Sequence, residues 1–152
     1  MINLRIHHFF DIVRDYGNGI KPAPHPFGHS YHKIAEAIFN NKVDKIRLVI
    51  QNDDVCLNCD KLIQDRCIDI IEHRADYDSK QMFNDDLDSR IMNVMGYRVG
   101  QVTNFIEILK RSGNYLDSIY EIYKGNDIAH TKLRKQNVSK GIDKKMIELG
   151  LE

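Results

Sequence analysis

Lys45-Ile46-Arg47-Leu48-Val49-Ile50 leads through Gln51-Asn52 into Asp53-Asp54-Val55-Cys56-Leu57-Asn58-Cys59, and the reading of this passage decides the architecture. Ile46, Leu48 and Ile50 alternate and Val49 is β-branched, the pattern of a strand with one buried face. Upstream, Leu4-Arg5-Ile6 reads as a short strand. Between the two, Tyr31, Ile34, Ala35 and Ile38 recur at i, i+3, i+4 and i+7, which predicts an amphipathic helix from Ser30 to Asn40. Strand, helix and strand in this order fit a βαβ unit with a right-handed crossover. Parallel neighbouring strands would end side by side, which sets His7 and His8 next to the cysteine loop. Ligands of open α/β sheets gather at that edge.

Around this frame the remaining segments are simpler. Phe9, Phe10, Ile12 and Val13 fit either a buried strand or a helical turn, and Gly17-Asn18-Gly19 breaks whatever they form. Pro22, Pro24 and Pro26 make an extended loop. Downstream, Ser79 caps a helix carrying Phe83, Leu87, Ile91 and Val94, closed by Gly96. Val102, Phe105, Ile106 and Leu109 predict a second helix ending near Gly113. Leu116, Ile119, Tyr120 and Tyr123 predict a third ending at Gly125, and Ile142, Met146 and Leu149 a last short one. The expected fold class is α+β. It is one metal-binding domain over residues 1–152, with a small βαβ-like half at 1–76 and a helical half at 77–152.

Composition bounds the function. The chain has 152 residues, 42% hydrophobic and 29% charged, with a formal net charge of zero. It is long enough for one real core and has no overall electrostatic bias toward nucleic acid or membrane. Lys132, Arg134, Lys135, Lys140, Lys144 and Lys145 lack aromatic interleaving, so they read as a solvated helix face rather than a nucleic-acid surface. The start of the sequence has no signal-peptide apolar core, and no apolar run approaches the ~20 residues of a membrane span. A cytoplasmic, reduced protein is the expectation.

All three cysteines, Cys56, Cys59 and Cys67, lie in one short stretch, which is not the layout of a secreted disulfide framework. Two thiols separated by two residues can turn onto one ion, and a third shortly downstream can join them. Such a set lacks its fourth ligand. His7, His8 and Asp11 are the candidates. Asp53 and Asp54 could serve as a general base or as acceptors for ligand imidazoles. His25, His29 and His32 form a second histidine cluster, read first as a polar loop. With His7 and Asp11, His29 and His32 could instead line an open metal site of an enzyme. Arg5 and Arg14 are read as partners of nearby acids.

Leu4-Arg5-Ile6-His7-His8-Phe9-Phe10-Asp11, then Asp53-Asp54-Val55-Cys56-Leu57-Asn58-Cys59 and Cys67, resemble the small bacterial and archaeal family called domain of unknown function 1284. Its pattern is Leu-Arg-x-His-His-Leu-Leu-Cys, then Asp-Asp-Ile-Cys-x-x-Cys-Pro and a later Cys. The resemblance covers the first half of the chain and implies iron–sulfur binding without an established activity. Asp11 stands in place of the family's first cysteine and Asp60 in place of its proline. Three thiolates with one imidazole make a closed zinc set, and loss of the fourth thiol tilts the expectation to zinc over an iron–sulfur cluster. The role, structural or redox, is open.

Overall fold

The computed structural model describes residues 1–151. Among them are six helices and five short strands, an α+β architecture whose second half is helical. Strand β1 (Ile2–Leu4) lies parallel to β2 (Ile46–Leu48), with Leu4 opposite Leu48. Strand β5 (Val102–Thr103) adds to the other edge of β2, antiparallel. Strands β3 (Leu62–Ile63) and β4 (Arg66–Cys67) form a separate hairpin.

The parallel pairing expected of the first half is present. Two helices, α1 (Ile6–Gly17) and α2 (Tyr31–Phe39), occupy the connection between its strands. Residues Phe9, Phe10, Ile12 and Val13 belong to α1, and their burial decides a period that the sequence leaves ambiguous. Strand β1 ends at Leu4, two residues earlier than Leu4-Arg5-Ile6 suggests. Arg5 is the residue before the helix, and Ile6 is already helical.

Helix α1 has no side-chain cap of its own and no acid in its first turn. Its start is completed from elsewhere. The Arg5 amide donates to Asp53 Oδ2 at 2.7 Å, and the His7 amide donates to Asp88 Oδ1 at 2.9 Å. Two carboxylates distant in sequence thus sit at the positive end of the helix dipole.

Helix α3 (Lys80–Met95) is bounded as the sequence predicts. Ser79 accepts from the Met82 amide, and Gly96 closes the helix at φ 73°, a left-handed value that suits glycine. The later segments differ from expectation. Val102 is in β5, and helix α4 (Phe105–Asp117) passes through Gly113 to Asp117. The Leu116–Tyr123 segment divides between α4 and the single turn α5 (Ile119–Ile122).

The last helix is long: α6 (Ile128–Glu148). Its buried face carries Thr131, Asn137, Val138, Gly141 and Lys145, only one of them a large apolar residue, so hydrophobic period does not reveal it. The basic group is not one solvated face. Arg134 packs against Asp11, and buried Lys145 donates to the Phe39 carbonyl at 2.6 Å. Pairing of Asp11 with Arg134, Val13 with Gly141 and Tyr16 with Glu148 shows α1 and α6 running side by side in one direction. They approach closely. A Cβ on Gly17 would strike the Asn137 carbonyl, and one on Gly141 the Val13 carbonyl. Around α1 the core closes with Phe10 stacked on Tyr115 and Phe9 against Phe105. No helix of the described residues is long and apolar enough to cross a membrane.

Candidate metal centre

Parallel pairing of β1 and β2 brings residues 5–8 and 52–56 to one edge of the sheet. There Asp53 is the organising group. Its Oδ1 accepts from the Val55 amide at 3.1 Å and closes the 3-10 turn Asp54–Cys56. Its Oδ2 accepts from the Arg5 amide and from His8 Nδ1, the latter at 2.8 Å. Burial works against the charge of Asp53, but the His8 ring and these hydrogen bonds outweigh it and hold the carboxyl at about 2. His8 is correspondingly raised: burial opposes its charge, and the Asp53 carboxylate more than compensates.

The cysteines follow at once. The turn Cys56-Leu57-Asn58-Cys59 is closed by the Cys59 amide on the Cys56 carbonyl at 3.1 Å, with Asn58 at φ 65°. Gly28 lies against the Asn58 carbonyl, where a Cβ would stand only 2.8 Å away. Cys59 leads into the β3–β4 hairpin, which returns Cys67. The Cys67 amide donates to Gln81 Oε1 at 2.9 Å, and Gln81 in turn donates to Asp85, so α3 anchors the hairpin. Cys56, Cys59 and Cys67 are free thiols, each partly exposed. The Cys56 thiol donates to Asp53 Oδ1 at 3.5 Å. Burial and that neighbouring carboxylate push it up to about 12.

One cavity of about 350 Å³ is lined by all three cysteines together with His8, Asp11, His25 and His29. His8 lines this cavity, and with Nδ1 taken by Asp53, Nε2 is the ring nitrogen left for a ligand. A carboxylate behind an imidazole in this way fixes ring orientation and raises ligand basicity. Among the described residues, no group of three or more His, Cys, Asp or Glu side chains stands close enough together to hold a metal ion in the arrangement seen here.

The other candidates are distributed differently. Asp11 accepts from Arg134 at 2.6 Å and from Arg14 at 3.1 Å. Burial opposes its charge, but the two guanidinium groups hold its carboxyl well below the usual range. His7 is held by a different carboxylate: Nδ1 bonds Asp88 at 2.8 Å, and the ring, 4.2 Å from that of His8, lines a different cavity. His25 stacks on His29 at 4.5 Å between centroids. Burial, with neighbouring imidazoles, lowers His29. His32 Nδ1 is buried without a hydrogen-bond partner and lines neither of these two cavities. The set His7, Asp11, His29 and His32 therefore does not share one cavity.

The sequence reading missed Asp88, Asp85 and Gln81. Asp88 is fully buried, where it receives Arg5 Nη1 at 2.7 Å and both nitrogen contacts of His7. Arg5 Nη2 reaches Asp85 at 2.8 Å. The available signal was an acid on the stripe of α3 that also carries Met92 and Met95, a face that otherwise points inward. No protein-family model, curated protein or solved structure matches this chain.

Proposed function

We propose that the chain is a metal-binding protein whose ligands are Cys56, Cys59, Cys67 and His8, with zinc as the resident ion and Asp53 orienting His8. What carries this reading is one observation: the three thiols and the Asp53-held imidazole line a single cavity. The donor set suits the ion, since three thiolates and one imidazole make a closed tetrahedral zinc site. Burial and Asp53 push the Cys56 thiol up, and a bound cation would bring it down by displacing the thiol proton. Asp11 is the weaker fourth ligand, since two arginines already engage its carboxylate. The motif resemblance makes an iron–sulfur cluster the runner-up centre.

Elemental analysis and an absorption spectrum of protein purified without oxygen test the reading. One zinc per chain and no visible absorption are expected, and His8→Ala should lower metal affinity more than Asp11→Ala. A stoichiometric brown cluster with iron and sulfide would replace zinc by the runner-up. Failure to bind either metal, with the fold intact by circular dichroism, would reject a metal site altogether. A structural role further requires that chelation, or Cys59→Ser, expose residues 52–75 to protease.

A further inference from the structure

A cleft of about 710 Å³ lies between α1, α3 and the first turns of α6. That volume is in the range of small-molecule sites, roughly 300–1,000 Å³. Phe83, Leu87 and Leu133 give its wall some apolar surface, but most of the lining side chains are polar or charged. Three of them decide what fits, because the fold leaves each with hydrogen-bonding capacity unused.

Arg134 is the first. Its side chain is 13% exposed, and its guanidinium carbon lies 4.6 Å from the centre of the Tyr123 ring. Nη1 donates to Asp11 Oδ1 at 2.6 Å. Nε and Nη2 meet no acceptor among the described residues, and neither is sealed from solvent. These two nitrogens form one edge of the guanidinium, with two parallel donors. Asn126 is the second. Its Oδ1 accepts from Arg74 Nη1 at 2.8 Å, and Arg74 is itself held by Asp76, so Nδ2 is left as an oriented donor. Asn84 is the third. Its side-chain amide is unpartnered among the described residues, so it offers an acceptor and a donor side by side.

Charge argues against an ionic ligand. Arg134 is already paired with Asp11, and Asp127, which caps α6 through the His130 amide, lines the same cleft. A carboxylate on the free guanidinium edge would join two acids, and a cation would meet the guanidinium itself. A neutral pair of adjacent acceptors avoids both costs and still gains charge-assisted hydrogen bonds. A keto purine has such a pair in its ring carbonyl and the neighbouring ring nitrogen, which is how arginine reads guanine. The same carbonyl adjoins a ring N–H on its other side, and that lactam edge complements the free amide of Asn84.

We propose that this cleft binds an uncharged planar heterocycle of the keto-purine class. The Nε–Nη2 edge of Arg134 takes the carbonyl and ring nitrogen, the Asn84 amide pairs with the lactam edge, and Asn126 donates to a remaining ring acceptor. None of the three residues is a proposed metal ligand, so this site and the metal centre can fail separately.

Three probes of one shape test it by equilibrium dialysis against the full chain: hypoxanthine, purine and purine-6-carboxylate, which carry a carbonyl, a hydrogen or a carboxylate at the same ring position. Hypoxanthine should bind saturably. Purine should bind roughly tenfold more weakly, the scale of one hydrogen bond, and purine-6-carboxylate no more tightly than purine. Asn84→Leu removes an amide that the fold does not use, so it should weaken hypoxanthine to the level of purine with unchanged melting. In a proton–nitrogen correlation spectrum, hypoxanthine should move the side-chain amide signal that this variant lacks. Leu133 is 52% exposed, so Leu133→Trp should fill the cleft without entering the core and abolish binding of both rings. Equal binding of purine and hypoxanthine, tightest binding of the carboxylate, no binding of any probe, or wild-type affinity for hypoxanthine in folded Asn84→Leu or Leu133→Trp would each overturn the proposal.

Discussion

Arg5 is 2% exposed, and its backbone amide and both terminal nitrogens are matched. Its amide meets Asp53, and its two terminal nitrogens meet Asp88 and Asp85. Charges this deep are tolerated only when paired, and removing one partner strands the other. Arg5→Met should therefore destabilise the fold by roughly 3–5 kcal/mol in urea unfolding. Arg5→Lys should recover only a minor part, because an ammonium cannot reach two carboxylates with a planar fork. Equal stability of Arg5→Lys and wild type would contradict the two-carboxylate role. The same residues set an acid limit. Asp53 titrates at about 2 in the fold, against ~3.9 in an unfolded chain. Its stabilisation is complete above ~3.9 and is lost as pH falls toward 2. Asp88 is depressed too: burial opposes its charge, and His7 and Arg5 outweigh that. Metal-free protein should lose stability steeply between pH ~4 and 2, on the order of 2 kcal/mol from Asp53 alone. Asp53→Asn should flatten that window while lowering stability at pH 6, as read from urea midpoints.

Helices α1 and α6 meet through glycines, and that contact makes a sharp comparison possible. Gly141→Ala places a methyl against the Val13 carbonyl, so the helices must separate. A loss of about 2–4 kcal/mol is expected, the scale of overpacking plus lost core contact. Gly113 lies inside α4, and a Cβ there would meet nothing within 4 Å. Gly113→Ala should stabilise by roughly 0.5–1 kcal/mol through helix propensity and the unfolded chain. Thermal melts of the two variants should move in opposite directions. Gly113 also shows where the sequence misleads: a glycine read as a terminator sits in mid-helix, because Phe105, Ile108, Leu109, Ser112 and Tyr115 continue the buried stripe past it. Helix α2 was legible from its apolar period, and α3 because its period agrees with the Ser79 and Gly96 caps. Helix α6 was not, because its contacts with α1 are made by glycine, asparagine and the buried ends of Arg134 and Lys145. Period counts hydrophobic residues, and this interface uses few.

For the whole molecule, the parallel pairing that brings His8 and the cysteine loop to one sheet edge was legible from two strands. The partition of His7 and His8 between two cavities was not. It depends on Asp88, whose separation of 81 residues from His7 gives no local sign. Removing both charges of the Asp11–Arg134 pair tests how far such distant contacts hold the molecule together. Arg134→Met should cost roughly 1.5–3 kcal/mol by leaving Asp11 only its longer contact with Arg14, and adding Asp11→Leu should return much of it, since apolar replacement of a buried pair is often neutral and Arg14 keeps Asp15. A double variant no more stable than Arg134→Met would refute that account.

Helix α1 cannot be finished by its own neighbourhood: its capping carboxylate Asp88 follows Arg5 by 83 residues, and Arg134 follows Asp11 by 123. During synthesis at ~5–20 residues per second, Phe9 and Phe10 wait for Phe105 and Tyr115, and Val13 for Gly141, for roughly 5–25 s. Phe9, Phe10 and Val13 lack that cover in the interval, an early and persistent target for a holding chaperone on the ribosome. Ribosome-bound chains arrested before Ile128 should retain such a chaperone, and chains arrested well beyond Glu148 should release it.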